Sequence, residues 1–284
     1  MKASSWSIAC RCGAVAVAAA GVLAAPALIA QQRSFSHALP QPSRRAAQKA
    51  NSIRKFQRTL PLPAGGVFSL ANVNGSVEIE GWGREEVQIM AEERTFSDGA
   101  ETPGVKIDVT AQARGVAVRT IYPQGEGVDV SVEYRVRVPR RVRLAGVATV
   151  NGSVRVRGVE GEGRLRTVNG NVEMYDGAGR FDARSTNGNI YMELRGLGEA
   201  EPGDVAPATL ETVNGTVVLS LSAEINSDLD IRTLNGDFSS ELPVERRVSA
   251  GGRELRCRLG TGGSPLQLRT MNGAVRLLMA RPIV

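Results

Sequence analysis

Residues 149–156 read TVNGSVRV, 167–174 read TVNGNVEM and 185–192 read STNGNIYM. These three segments are 18 residues apart. The pattern returns as NVNGSVEI at 72–79, TVNGTVVL at 212–219, TLNGDFSS at 233–240 and TMNGAVRL at 270–277. Aligned on the asparagine, the fourth residue before it is Leu70, Val147, Leu165, Ala183, Leu210, Ile231 or Leu268. The third after it is Val77, Val154, Val172, Ile190, Val217, Phe238 or Val275. All fourteen are apolar. The fifth after it is apolar in every segment except at Ser240, and the position between is mostly polar. Apolar positions two apart with a polar one between them are the period of a strand with one buried face.

Asn-Gly supplies a positive φ at little cost, as a tight corner requires. It usually marks a two-residue hairpin, but hairpins do not recur every 18 residues with the same inward rows. A coil that stacks on the next coil does, because each unit completes its core only against a neighbour. The predicted fold is therefore all-β: a single-stranded parallel β-helix, or solenoid, of about 18-residue coils over residues 141–284. The intervals of 27 and 21 residues read as 18 with insertions, and that of 37 as two coils, one degenerate. Asn74, Asn151, Asn169, Asn187, Asn214, Asn235 and Asn272 form one stacked structural corner. Thr149, Thr167, Ser185, Thr212, Thr233 and Thr270 form a ladder beside it. Residues 59–140 alternate less regularly and read as a β-rich N-terminal portion of the same domain. Handedness stays open, with right-handed preferred.

The chain has 284 residues, 42% of them hydrophobic and only 4% aromatic, as a narrow core of small aliphatics requires. Residues 1–30 read as a signal peptide: Lys2 and Arg11, then the apolar run Ala14 to Ala30, with small residues for cleavage after Ala27 or Ala30. That run is short of the ~20 apolar residues of a spanning helix. The expected location is extracytoplasmic: periplasm, cell surface or secreted. Residues 31–58 read as a basic linker with seven positive side chains and no acid. Helical spacing of Ala46, Ala50, Ile53 and Phe56 allows a short amphipathic helix on an anionic surface; a solvated linker is the alternative. The net charge of +6 comes from this arm, since residues 59–284 hold 26 positive against 29 acidic side chains. No nucleic-acid partner is expected of such a body.

The lone histidine, His37, falls in the linker, and Cys10 and Cys12 fall in the leader, leaving Cys257 as a small, partly buried hydrophobe. That removes histidine-based triads, histidine zinc sites and a disulfide framework. No phosphate loop, nucleophile elbow or dinucleotide fingerprint is present, and neither a cofactor nor a metal is expected. The strings NVNGSVEIEGWGREEVQIMAEER and VDVSVEYRVRVPRRVRL, followed by the TVNG-x-V units, resemble the bacterial putative-adhesin family of β-strand repeats. The resemblance covers roughly residues 60–280. It implies an exported, non-enzymatic β-helical protein, with adhesion as its function, and it offers no catalytic or ligand residue to carry over.

Three surface features compete with bland readings. Arg166, Arg184, Arg232 and Arg269, each three before an asparagine, form a stripe suited to phosphate or carboxylate groups, or simply a solvated face. Arg135, Arg137, Arg140, Arg141 and Arg143 read as an outward strand face. Glu199, Glu201 and Asp204 sit in a Gly/Pro insertion without calcium-ligand spacing, which favours a plain loop. The Asn-Gly-Ser/Thr sequons at Asn74, Asn151 and Asn214 read as turn chemistry. The expected function is a non-catalytic envelope adhesin, binding or scaffold module. Its partner would be an anionic envelope glycan, a membrane surface or another envelope protein, in an oligomeric state left open. The alternative is a carbohydrate-active β-helix enzyme of the polysaccharide-lyase kind, resting on architecture alone.

Overall fold

Buried and exposed residues alternate through most of the computed structural model, which describes residues 52–96, 104–123, 129–198, 207–222, 224–248 and 254–280. The described residues form twenty strands and no helix. One ladder of paired strands runs β5 (Lys106–Gln112), β6 (Gly115–Ile121), β2 (Gly66–Ala71), β8 (Val142–Ala148), β10 (Glu160–Arg166) and the second half of β11 (Val172–Asn187). It continues through β13 (Ala208–Asn214), β19 (Ser264–Asn272), β15 (Ser227–Asn235), β18 (Glu254–Leu259) and β17 (Glu245–Val248). A second ladder runs β1 (Ser52–Pro61), β4 (Glu86–Phe96), β7 (Asp129–Pro139), β3 (Val77–Trp82), β9 (Val154–Arg157) and the first half of β11. It ends with β12 (Ile190–Gly196), β14 (Val217–Leu221), β20 (Val275–Met279) and β16 (Phe238–Ser240). The 16-residue β11 belongs to both ladders and joins them.

The expected parallel β-helix solenoid does not form. One mixed sheet of twenty strands curls until it nearly closes, in the manner of a barrel. Five pairings are antiparallel: β1–β4, β4–β7, β5–β6, β15–β18 and β17–β18. Strand order also departs from chain order, with β19 between β13 and β15, and β2 between β6 and β8. Successive coils of a single-stranded helix show neither feature. Hydrophobic alternation specifies an inward face, and Asn-Gly specifies a register with a like segment. Neither says which like segment will be the neighbour. The 37-residue interval between Asn235 and Asn272 thus holds the antiparallel β17–β18 pair rather than a degenerate coil.

The inward rows lie where alternation puts them. Val77, Val154, Val172, Ile190, Val217 and Val275 are all 0% exposed and stand side by side across β3, β9, β11, β12, β14 and β20. Residues 52–58, assigned above to the linker, are strand: β1 pairs with β4 from Ser52↔Thr95 to Pro61↔Glu86. Strand period 2 sends Ile53 to solvent and Phe56 toward the core, whereas helical spacing would have kept them on one face. The leader, residues 31–51, and Glu199, Glu201 and Asp204 lie outside the described residues.

The corner glycines serve two needs, and Gly75, Gly170 and Gly273 adopt the positive φ expected of them. Gly152, Gly188, Gly215 and Gly236 do not adopt positive φ. A Cβ on Gly188 would instead overlap the carbonyl oxygen of Gly170, and one on Gly152 that of Gly75. Backbones stacked this closely leave no room for a side chain.

Candidate functional site

Each x-Asn-Gly segment closes the end of a strand in the first ladder, and parallel pairing brings all seven together. Their order in space is Asn74, Asn151, Asn169, Asn187, Asn214, Asn272, Asn235. Every amide is used. The Nδ2 of Asn151 donates to Oδ1 of Asn74 at 2.8 Å, Asn169 to Asn151 at 2.8 Å and Asn187 to Asn169 at 2.9 Å. Asn214 donates to Asn187, Asn272 to Asn214 and Asn235 to Asn272, each at 2.8 Å. The hydroxyl row sits behind them. Thr167 Oγ1 donates to the Gly152 carbonyl at 2.7 Å, Ser185 to Gly170 at 2.8 Å and Thr212 to Gly188 at 2.8 Å.

At the Asn74 end, Asn72 replaces the threonine. Its Nδ2 donates to the Val132 carbonyl at 2.9 Å, and its Oδ1 accepts from Tyr122 Oη at 3.1 Å. Burial pushes the Tyr122 phenol above its ordinary pKa.

Two residues before each asparagine the hydroxyl row points inward, so the residues three before and one before share the outward face. The first of these rows reads, across the ladder, Ala71, Ala148, Arg166, Arg184, Glu211, Arg269, Arg232, and then Glu254 on β18. The structure therefore brings Arg166 and Arg184 together, and Arg269 and Arg232, with Glu211 between the two pairs. Arg184 meets Glu211 at 3.5 Å, and Arg232 meets Asp230 and Glu254 at 3.1 Å each. Among the described residues Arg166 and Arg269 have no ion pair, and Arg269 Nε is buried without a hydrogen-bond partner. A shallow groove of about 410 Å³ follows the row here, lined by Arg269, Arg232, Met271 and Leu234 among others.

The row one before each asparagine escaped the sequence reading. It runs Val73, Val150, Val168, Thr186, Val213, Met271, Leu234. Eight large hydrophobics are exposed among the described residues, and five of them fall on this one row: Val73, Val150, Val168, Leu234 and Met271. The signal was present in the sequence as the apolar x of Thr-x-Asn-Gly, a position that alternation places outside.

Four of the five arginines in the other basic cluster are spent on pairing. Arg135 lies 3.8 Å from Glu78, Arg137 3.1 Å from Glu80, Arg141 3.7 Å from Glu160 and Arg143 3.8 Å from Glu162. On the outward face of the second ladder, Arg155 donates to Glu173 at 2.9 Å, which raises the arginine's pKa. The Tyr175 and Tyr191 rings lie 5.1 Å apart there, with Arg157 5.4 Å from the Tyr175 ring. Desolvation raises both phenols. Cys257 is buried in β18. Among the described residues no three His, Cys, Asp or Glu side chains gather to hold a metal ion.

No family model and no curated protein matches the chain. Among solved structures, one named a "putative cell adhesion protein" from Clostridium sporogenes is 8% identical, covers 80% of this chain and 100% of its own, and has a TM-score of 0.39. A "putative adhesin" from Bacteroides fragilis is 12% identical, covers 79% of this chain and 97% of its own, and has a TM-score of 0.40. Both scores fall below 0.5, and membership of the β-strand-repeat family is not established.

Proposed function

We propose that this chain is an exported, non-catalytic binding or scaffold module of the cell envelope, adhesin-like in role. The observation that carries the reading is the outward surface of the first ladder. Seven like segments are held in register by an unbroken row of amide bonds, so that side chains recur at fixed spacing over a long face. A rigid array of this kind costs little entropy when it meets an extended partner. The apolar run Ala14–Ala30 supports export, and the family resemblance of residues 60–280 supports adhesion.

The test is an array of glycans and envelope polymers, run beside an assay for release of reducing ends. Saturable binding without turnover is the expected result. Turnover of any polysaccharide would overturn the non-catalytic assignment. Export is checked separately by N-terminal sequencing, with a mature start near Leu28 or Gln31 expected and an intact Met1 on cytoplasmic protein contradicting it.

A further inference from the structure

The fold does not require the outward row to be apolar. Thr186 occupies it in the middle of the ladder, exposed and polar, with its flanking strands paired like the rest. Valine, methionine or leucine nevertheless stands at the other six places, and exposure of large hydrophobics is concentrated there. Two exposed apolar stretches, Val73–Val150–Val168 and Met271–Leu234, mark a surface that meets something apolar. Seven strands at ~4.8 Å make the row roughly 29 Å long.

Its two borders say what that something carries. On one side stands the arginine row, in which Arg184 and Arg232 are taken by carboxylates while Arg166 and Arg269 keep their charge unpaired among the described residues. On the other side stands the asparagine row. Six of the seven Nδ2 groups spend one N–H on the next asparagine and have a second to give. An apolar line flanked by guanidinium and amide donors matches acyl chains flanked by phosphate and ester oxygens.

We propose that this face docks on an anionic lipid surface, with Val150, Val168, Met271 and their row-mates level with the acyl boundary and Arg166 and Arg269 on headgroup phosphates. The inference rests on the binding-module reading and names its partner. Interfacial attachment of this type adds buried apolar area to attraction for anionic lipid.

The test is vesicle co-sedimentation of the full chain on phosphatidylglycerol–phosphatidylcholine and on phosphatidylcholine alone. The wild type is compared with V150S/V168S/M271S and with R166Q/R269Q. The leader is common to all three, so differences report the row alone, and matched melting curves show that the exposed substitutions leave the fold intact. The triple variant should lose about tenfold in partition. The arginine variant should lose about fivefold per charge, on anionic vesicles only. Variants that partition like the wild type would overturn the proposal, as would a self-association that the triple variant abolishes. Binding of glycans with no effect of either variant on vesicles sinks this inference and leaves the binding module standing. A chain that binds neither glycans nor vesicles sinks both.

Discussion

Replacing Asn272 and Asn235 one at a time by alanine tests the asparagine ladder and its unexpected order together. Asn272 lies inside the ladder and makes two side-chain bonds, one donated to Asn214 and one accepted from Asn235, both at 2.8 Å. Asn235 lies at the end and makes one. A net hydrogen bond is worth ~0.5–1.5 kcal/mol, with exposed amides at the lower part of that range because water replaces the lost partner. N272A should then cost about 1–2 kcal/mol and N235A about half as much. Both residues are exposed corners preceding glycine, so intrinsic preferences for alanine cancel in the comparison. Urea unfolding at constant m gives the two values. In a melting curve each kcal/mol is worth ~2–4 °C for a body of this size. If coils stacked in chain order, Asn272 would be the terminal residue and the ranking would reverse. A larger loss for N235A than for N272A would refute the order 214, 272, 235.

Gly188→Ala should cost about 1–3 kcal/mol as its Cβ forces the Gly170 carbonyl away, whereas Gly83→Ala, open on all sides, should be near neutral; equal melting temperatures would contradict the close stacking. Val172→Asp should cost several kcal/mol by placing an unpaired carboxylate in a site with no solvent exposure, and an unchanged midpoint in urea would contradict the inward assignment. Burial pushes the Tyr134 phenol up to about 12, opposed by its 2.6 Å bond with the Thr120 hydroxyl. Its folded pKa thus lies above the unfolded value of ~10, so its contribution is complete below pH ~10 and is lost as pH rises toward the folded value. Tyrosinate absorbance should accordingly grow in step with loss of the β-sheet circular dichroism signal. A titration of all four tyrosines centred near pH 10 with the fold intact would contradict it.

The inward rows were legible because burial acts on each residue separately. Alternation at Val154, Arg155 and Val156 is a local pattern, and the core keeps it. The corner was legible as a place and in part of its physics. Asn-Gly suggested a turn geometry, which Gly75, Gly170 and Gly273 adopt, while the stacked backbones show that glycine also serves closeness of approach and asparagine a lateral amide chain. The closure of the sheet was not legible. Segments so alike as TVNGTVVL, TLNGDFSS and TMNGAVRL pair equally well in any order on local grounds. The order is decided by the antiparallel β17–β18 return and by β11 serving both ladders, features spread over distant, irregular stretches. The arginine stripe was found by alignment, but the carboxylates that neutralise half of it come from Glu211, Asp230 and Glu254, whose proximity only the pairing reveals.

The neighbour order of the ladder underlies both the corner and the surface it presents, and spin-label distances test it most directly. With the three native cysteines replaced by alanine, labels are placed at Val73 and Met271 in one sample and at Val73 and Leu234 in another. All three positions are on the exposed row. Five strand spacings separate the first pair and six the second, so dipolar spectroscopy should give a shorter distance for Val73–Met271 than for Val73–Leu234. A Val73–Met271 distance longer than the Val73–Leu234 distance would mean that the segments stack in chain order, and would contradict the account.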